Sequence, residues 1–248
     1  MTAYSYLAAL VLAVVTPLCG TAAIIGSLFD KTGNGPHRAA RLWARALLRA
    51  SMVRVHVVGA ENLEPGGTYV FAANHSSAYD ILALLAHLPV QFRWLAKEEL
   101  FRIPFFGRAM RAVGYIPINR SNPREGVKSL ERAAERIRAG VSVIIFPEGT
   151  RTRDGVIQDF KRGGFTLATR SERPIVPVSI SGAHRVLATK TLALHPGPIR
   201  IVIDRPISTA GLDREAQYRL VDQVRQVVIA NHDPDFGAVR TSKGASDA

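Results

Sequence analysis

The first 29 residues carry no charged side chain; Asp30 is the first. No other feature constrains the chain as tightly, because an uncharged run of this length suffices to cross a hydrocarbon core of roughly 30 Å. It reads as two apolar pieces, YSYLAALVLAVV and TAAIIGSLF, separated by Pro17 to Gly20. That proline and glycine admit a kinked helix, or a short hairpin that enters one leaflet and returns. A cleaved secretory leader is the competing reading, but it needs the positively charged start that MTAYSY lacks. Leu18, directly before Cys19, also makes a poor lipoprotein-type site. The run is therefore expected to stay as a membrane element.

A basic flank comes next: Lys31, His37, Arg38, Arg41, Arg45 and Arg49, with no acidic residue between Asp30 and Glu61. Within Pro36–Ala50, Leu42, Trp43, Ala46, Leu47 and Ala50 recur at helical spacing, and Arg41, Arg45 and Arg49 repeat every fourth residue as one stripe. A basic stripe beside an apolar face is the composition of a helix lying on an anionic membrane. An ordinary amphipathic surface helix has the same pattern. The positive-inside tendency puts this flank, and the chain beyond it, on the cytoplasmic face of the cell's inner membrane. A net charge of +12 calls for a polyanionic partner: nucleic acid, an anionic membrane or a phosphorylated substrate. With 7% aromatic residues and no stacking or groove-reading motif, nucleic acid is the poorest of these. The lone Cys19 excludes an internal disulfide framework and a multi-cysteine metal site.

Beyond residue 50, short β-rich runs alternate with helical stretches. Strands are expected at Val53–Val58, Tyr69–Ala73, Phe92–Ala96, Tyr115–Ile118, Val141–Phe146, Ile175–Ile180 and Ile199–Ile203. Several are continuous apolar runs, as in strands covered on both faces. Ile175–Ile180 contains Pro177, which suits a sheet edge or a bulge. The clearest helix spans Pro123–Ala139, with Asn122 as N-cap, Pro123 at the first helical position and Gly140 closing it. Alternation of this kind predicts an α/β fold: one domain, a mostly parallel or mixed sheet flanked by helices, and the N-terminal membrane-associated helical element. The expected division is 1–50 for the membrane element and basic helix, 51–231 for the α/β domain and 232–248 for a mobile tail without apolar periodicity.

Chemistry is concentrated in a few segments. Asn74-His75-Ser76-Ser77-Ala78-Tyr79-Asp80 follows the strand TYVFAA. On a regular helix His75 and Asp80 would point about 140° apart, so the chain must turn between them for the two to meet. Ser77 can cap a helix starting near Ala78, and the Asp80 carboxylate then reaches back to one imidazole nitrogen and leaves the other as a base. The competing reading makes Ser77 and Asp80 a capping box, with His75 an incidental loop residue. A second segment, Phe146-Pro147-Glu148-Gly149-Thr150-Arg151, ends the apolar strand Val141–Ile145 in a rigid loop with donors suited to an anion. Gly114–Arg120 delivers another arginine from a strand end.

In this order and spacing these segments resemble the glycerolipid acyltransferases, especially the 1-acyl-sn-glycerol-3-phosphate acyltransferases. The resemblance covers about residues 50–205, with Phe160–Phe165 similar to the family's lysine-glycine segment and Pro117 departing from its usual residue. It implies His75 as general base and Asp80 as its orienting partner, with no covalent acyl-enzyme. It also implies a glycerophosphate pocket of Arg120, Glu148, Gly149, Thr150, Arg151 and Lys161, although Glu148 can instead hold the loop through backbone hydrogen bonds. The implied donor is acyl-CoA or acyl carrier protein and the implied acceptor lysophosphatidic acid, with no metal and no cofactor. Glycerol-3-phosphate, another lysophospholipid, or non-catalytic lipid binding remain open alternatives.

Overall fold

The expected runs become seven strands of one sheet: β1 (Arg54–Val58), β2 (Val70–Ala73), β3 (Phe92–Lys97), β4 (Ile116–Ile118), β5 (Ser142–Ile145), β6 (Ile175–Ser181) and β7 (Pro198–Ile203). They are taken from a computed structural model that describes residues 2–119 and 123–238. Across the sheet the order is β1-β7-β6-β2-β5-β3-β4. Every pair is parallel except β6–β7, so the sheet is mixed. Parallel strands need crossovers that cover both faces. Alternate residues of β2 show the result: Phe71 and Ala73 enter one core, Val70 and Ala72 the other. Helices α2 (Asn34–Ala50) and α3 (Ala78–His87) cover the first face, with α4 (Phe106–Val113) packed beside the N-terminal helix; α5 (Pro123–Arg138), α6 (Arg162–Ser171) and α8 (Arg214–Asn231) cover the second. The helix α5 starts at Pro123 as expected, while the expected cap Asn122 lies outside the described residues.

Pro177 departs from its expected place at an edge, because β6 is paired on both sides and buried throughout. The cost is one ladder bond. Asp204 N donates to Pro177 O (3.0 Å) just past the end of β7, and the reciprocal bond is the one a proline cannot make.

The helix α1 (Ala3–Phe29) runs unbroken through Pro17 and Gly20, so the hairpin those residues admit does not form. Its 27 residues span about 40 Å. One flank is fastened at intervals. Thr2 Oγ1 donates to Leu194 O (2.7 Å), Leu194 N to Ser5 Oγ (3.0 Å) and Trp43 Nε1 to Thr16 Oγ1 (2.9 Å). At Gly20 a β-carbon would lie 2.7 Å from the Phe105 ring, so glycine allows helix and ring to touch. The opposite flank is bare: Leu10 is 63%, Leu18 65% and Phe29 86% exposed.

The arginine stripe of α2 is partly used inside the protein. Arg41 donates to Leu88 O (2.8 Å) and Arg45 to Ala86 O (3.3 Å), closing the carboxyl end of α3, where cations are favoured. Arg93 on β3, only 2% exposed, donates to Thr32 O (3.0 Å) and Asn34 Oδ1 (2.8 Å) and so pins the α1–α2 turn to the sheet. The start of the expected tail is in contact: Asp233 N donates to Ser181 Oγ (3.0 Å), Arg185 pairs with Asp235 (3.0 Å), and Arg200 lies over the Phe236 ring. Residues 239–248 lie outside the description.

His37 is fully buried in α2, edge-on to Phe92 at 4.9 Å, with neither ring nitrogen hydrogen-bonded among the described residues. Burial, with Arg93 and Arg41 nearby, pushes it down to about 3 from 6.5. Between those values the unfolded chain binds the proton and the folded one does not, so stability falls as pH drops through that window. The slope is about 1.4 kcal/mol per pH unit. His37→Leu is expected to flatten this part of the acid limb in thermal unfolding at pH 7 to 4; an unchanged slope would mean another group sets it.

Candidate active site

Strands β2 and β5 are parallel neighbours whose following helices, α3 and α6, leave for opposite faces of the sheet. Such a parting opens a crevice at the carboxyl ends of the strands, the usual place for a site in an open α/β sheet. The two motif segments leave β2 and β5 at that crevice.

Asn74 acts as a strand extension: its side chain donates to Ile180 O (2.9 Å) and accepts from Ile180 N (2.7 Å), prolonging the β2–β6 pairing by one step. The chain then turns. Ser77 is the N-cap of α3, accepting from Tyr79 N (3.2 Å), and Asp80 at the third helical position closes a capping box. The two competing readings of Asp80 are both realised. Its Oδ2 accepts from Ser76 N (2.7 Å), from Ser77 N (2.7 Å) and from His75 Nδ1 (2.8 Å). A carboxylate that accepts two backbone N–H groups can only accept from the imidazole too, so Nδ1 carries the hydrogen and Nε2 keeps its lone pair. Asp80 is fully buried, and the His75 side chain is 12% exposed.

The β5 loop is zipped onto this turn. His75 N donates to Glu148 Oε1 (2.6 Å), Gln158 N to Glu148 Oε2 (3.0 Å) and Thr152 N to His75 O (3.0 Å). Thr189 Oγ1 bridges Ser76 O (3.2 Å) and Thr152 O (3.0 Å). Glu148 is only 3% exposed, and burial pushes its carboxyl up, opposed by the N–H groups of Gln158 and His75. Both Glu148 oxygens accept from backbone N–H groups, the contacts that the loop-holding alternative calls for.

Gly149, Thr150 and Arg151 are exposed beside the crevice, and the Arg151 guanidinium has no partner among the described residues. Gly149 takes φ +78, and a β-carbon there would lie 3.0 Å from Lys161 Nζ, so the glycine lets the ammonium lean over the loop. Arg120 lies outside the described residues. Among the described residues no cluster of three or more His, Cys, Asp or Glu is placed to ligate a metal ion.

A cavity of about 330 Å³ opens beside His75, lined almost wholly by apolar groups, among them Ala23 and Cys19 of α1, Trp43, Trp94, Met110 and Phe146. Lys97, at the end of β3, also lines it. A second cavity of about 500 Å³ lies toward α5 and α6, with Lys161 and Asn119 among its lining residues and Phe146 common to both. Sequence reasoning missed Lys97, Thr152, Thr189 and the walls that α1 and Phe146 supply. For Lys97 the signal was a charge at the end of an apolar strand; the others depend on tertiary contacts.

The acyltransferase family model matches residues 54–181, which take in both motif segments. The chain belongs to the acyltransferase family. It is 34% identical over 206 residues to a chloroplastic 1-acyl-sn-glycerol-3-phosphate acyltransferase of Brassica napus, covering 81% of this chain and 59% of that one. It is 32% identical over 178 residues to the alpha form of the human enzyme of that name, covering 71% and 63%. The chain thus spans about three fifths of the length of these curated relatives. The crystal structure of the 1-acyl-sn-glycerophosphate (LPA) acyltransferase of Thermotoga maritima is similar along nearly the whole length, with a TM-score of 0.75 at 27% identity, covering 91% of this chain and 90% of that one.

The two hydrogen bonds of Glu148 give its role in the loop a direct test. Glu148→Ala removes the acceptor of two part-buried N–H groups, those of His75 and Gln158, and is expected to cost about 1 kcal/mol each in thermal unfolding. The acceptor KM of the folded fraction should stay close to wild type. A changed acceptor KM with unchanged stability would instead put this carboxylate beside the phosphate.

Proposed function

We propose that the chain transfers a fatty acyl group from a thioester donor, acyl-CoA or acyl carrier protein, to the free sn-2 hydroxyl of lysophosphatidic acid, giving phosphatidic acid. One observation carries this reading. An imidazole whose Nδ1 is held by a buried carboxylate lines an apolar cavity with its other nitrogen free of protein partners among the described residues. The names of its relatives supply the acceptor.

In the proposed sequence His75 Nε2 takes the proton of the acceptor hydroxyl as that oxygen attacks the thioester carbonyl. The tetrahedral intermediate collapses, the C–S bond breaks, and the departing sulfur takes the proton from the imidazolium. Asp80 keeps the ring oriented and offsets its transient charge, which is how positioned bases contribute about 10²–10⁴ in rate. Arg151, Lys161, Arg120 and Lys97 are the cations proposed to receive the glycerophosphate and the anionic donor; Gly149 and Thr150 shape the loop between them. The apolar cavity takes an acyl chain. No metal or cofactor enters this scheme.

The helix α1 has the length and composition to cross a membrane. Fastened to the domain along one flank and bare along the other, it is proposed to lie with its bare face in one leaflet rather than to be surrounded by lipid. The cavity it helps to line then sits beside the bilayer, where both chains are at hand. The basic flank of residues 31–49 would face the anionic lipid of the cytoplasmic leaflet, with Arg38 and Arg49 available beyond the two arginines that close α3.

The test is thiol release from a thioester donor in detergent micelles, with lysophosphatidate and glycerol-3-phosphate as parallel acceptors. Release with lysophosphatidate alone, reduced at least 10²-fold in His75→Ala, is expected. Release with glycerol-3-phosphate alone would move the acceptor assignment, and a variant retaining a tenth of the activity would remove His75 as the base. Cys19, the sole cysteine, gives a separate test of the cavity. Its alkylation is expected to shift preference toward shorter acyl donors, with Cys19→Ser unaffected by the reagent; an unchanged chain-length profile after full alkylation would place the acyl chain elsewhere.

A further inference from the structure

The face of the catalytic imidazole has a partner that the base mechanism does not use. The His75 and Phe146 rings stack with centroids 3.9 Å apart and planes 13° apart. Phe146 in turn stacks on Trp94 at 5.5 Å and 17°, and Phe92 meets Trp94 edge-on at 5.2 Å. These rings form a column running from the reacting imidazole into the core, where Trp94 and Phe92 are buried. The column grows out of the fold directly, because Phe92 and Trp94 lie on β3 and Phe146 follows β5, its parallel neighbour.

We infer that Phe146, backed by Trp94, is a positioning residue for the transfer reaction that holds the His75 ring by its face and stabilises the imidazolium formed when His75 takes the acceptor's proton. The inference rests on the reading of His75 as the base. The residue is already fixed at three other points: its backbone N–H by Glu148, its carbonyl by Thr152 and its Nδ1 by Asp80. Stacking on Phe146 removes the remaining freedom, rotation out of the plane. A neutral imidazole gains little from a parallel aromatic face beyond contact area. A cation over the same face is drawn to the negative ring quadrupole, increasingly so as water is excluded. The contact is therefore stronger in the charged state, the condition for an interaction to speed a chemical step.

Other charged groups bear on His75, and the test must keep them constant. They are Asp80 on α3, Glu148 on the loop after β5, Lys97 at the end of β3, which lines the same cavity, and His184 on α7 (Ala183–Val186), which senses the Asp80 charge. None is altered by changing Phe146 alone.

The experiment compares Phe146→Leu, Phe146→Tyr and wild type in full-length protein in detergent. Two quantities are followed: the His75 ring by NMR titration, assigned through His75→Ala, and the pH profile of acyl transfer. Phe146→Leu keeps an apolar wall but removes the π face. It is expected to lower the His75 titration midpoint by about half a unit to one unit. The acid limb of kcat/KM should move down equally and plateau kcat fall several-fold, with both substrate KM values near wild type. Phe146→Tyr should restore all three. An unmoved His75 midpoint in a folded Phe146→Leu protein, or activity lost through KM alone, would reduce Phe146 to a wall of the two cavities and overturn the inference. The NMR midpoint does not depend on turnover. A moved midpoint together with an active His75→Ala protein would therefore show that the base reading had failed, not the stacking. If Phe146→Leu does not fold, the same titration in Trp94→Leu, one ring further from His75, decides: a midpoint lowered by a smaller amount supports the column, and one unchanged overturns it.

Discussion

Everything at the crevice depends on one carboxylate oxygen. Asp80 Oδ2 accepts from two backbone N–H groups at the start of α3 and from the His75 ring, so the capping of a helix and the orientation of an imidazole are a single arrangement. A helix N-terminus favours negative charge, which keeps the carboxylate an acceptor and assigns the hydrogen to Nδ1 of His75. The five-residue separation that looks wrong for a shared helical face is right for a turn whose two serine N–H groups converge on the same oxygen. The second segment then locks the turn from the other side, through Glu148 and Thr152.

That lock lies at the carboxyl ends of two central strands, and the topology puts it there. Because β2 and β5 send their chains to opposite faces, the loops after them part instead of colliding, and Phe146 stands between an apolar cavity on the α1 side and a second cavity toward α5 and α6. The helix α1 is no appendage in this arrangement. Ala23 and Cys19 of α1 line the first cavity, and Arg93, buried in the sheet, holds the turn between α1 and α2. The exposed apolar flank of α1 and the cavity lie on opposite sides of that helix.

All seven strands and the long helix after Pro123 were legible in the sequence, because buried parallel strands leave continuous apolar runs and α5 keeps a clear 3.6-residue period. Pro177 misled because the local rule places proline at an edge, whereas here the neighbouring strand ends opposite it. Between the helix and the hairpin that Pro17 and Gly20 both admit, the sequence left the choice open; contacts of Thr16 and Gly20 with the domain support α1 as one helix. At the site the motif spacing sufficed to bring His75 and Asp80 together. It did not separate a phosphate ligand from a loop brace at Glu148, since both uses need a carboxylate in the same loop. Two arginines of the basic stripe close a helix whose last carbonyls lie 41 and 47 residues further along the chain, a long-range use that periodicity cannot reveal. The stacking of His75 on Phe146 was equally hidden, being a contact across strands.

The central claim is that His75 and Asp80 act as one unit on the acceptor's proton, and a double-mutant cycle measures this most directly. The quantity is kcat/KM for acyl transfer to lysophosphatidate in wild type, His75→Ala, Asp80→Asn and the double variant, each verified as folded. Groups that act as a unit are strongly non-additive. The account predicts a double variant no slower than His75→Ala alone. Losses that multiply would contradict it, showing that Asp80 contributes to transfer independently of the imidazole.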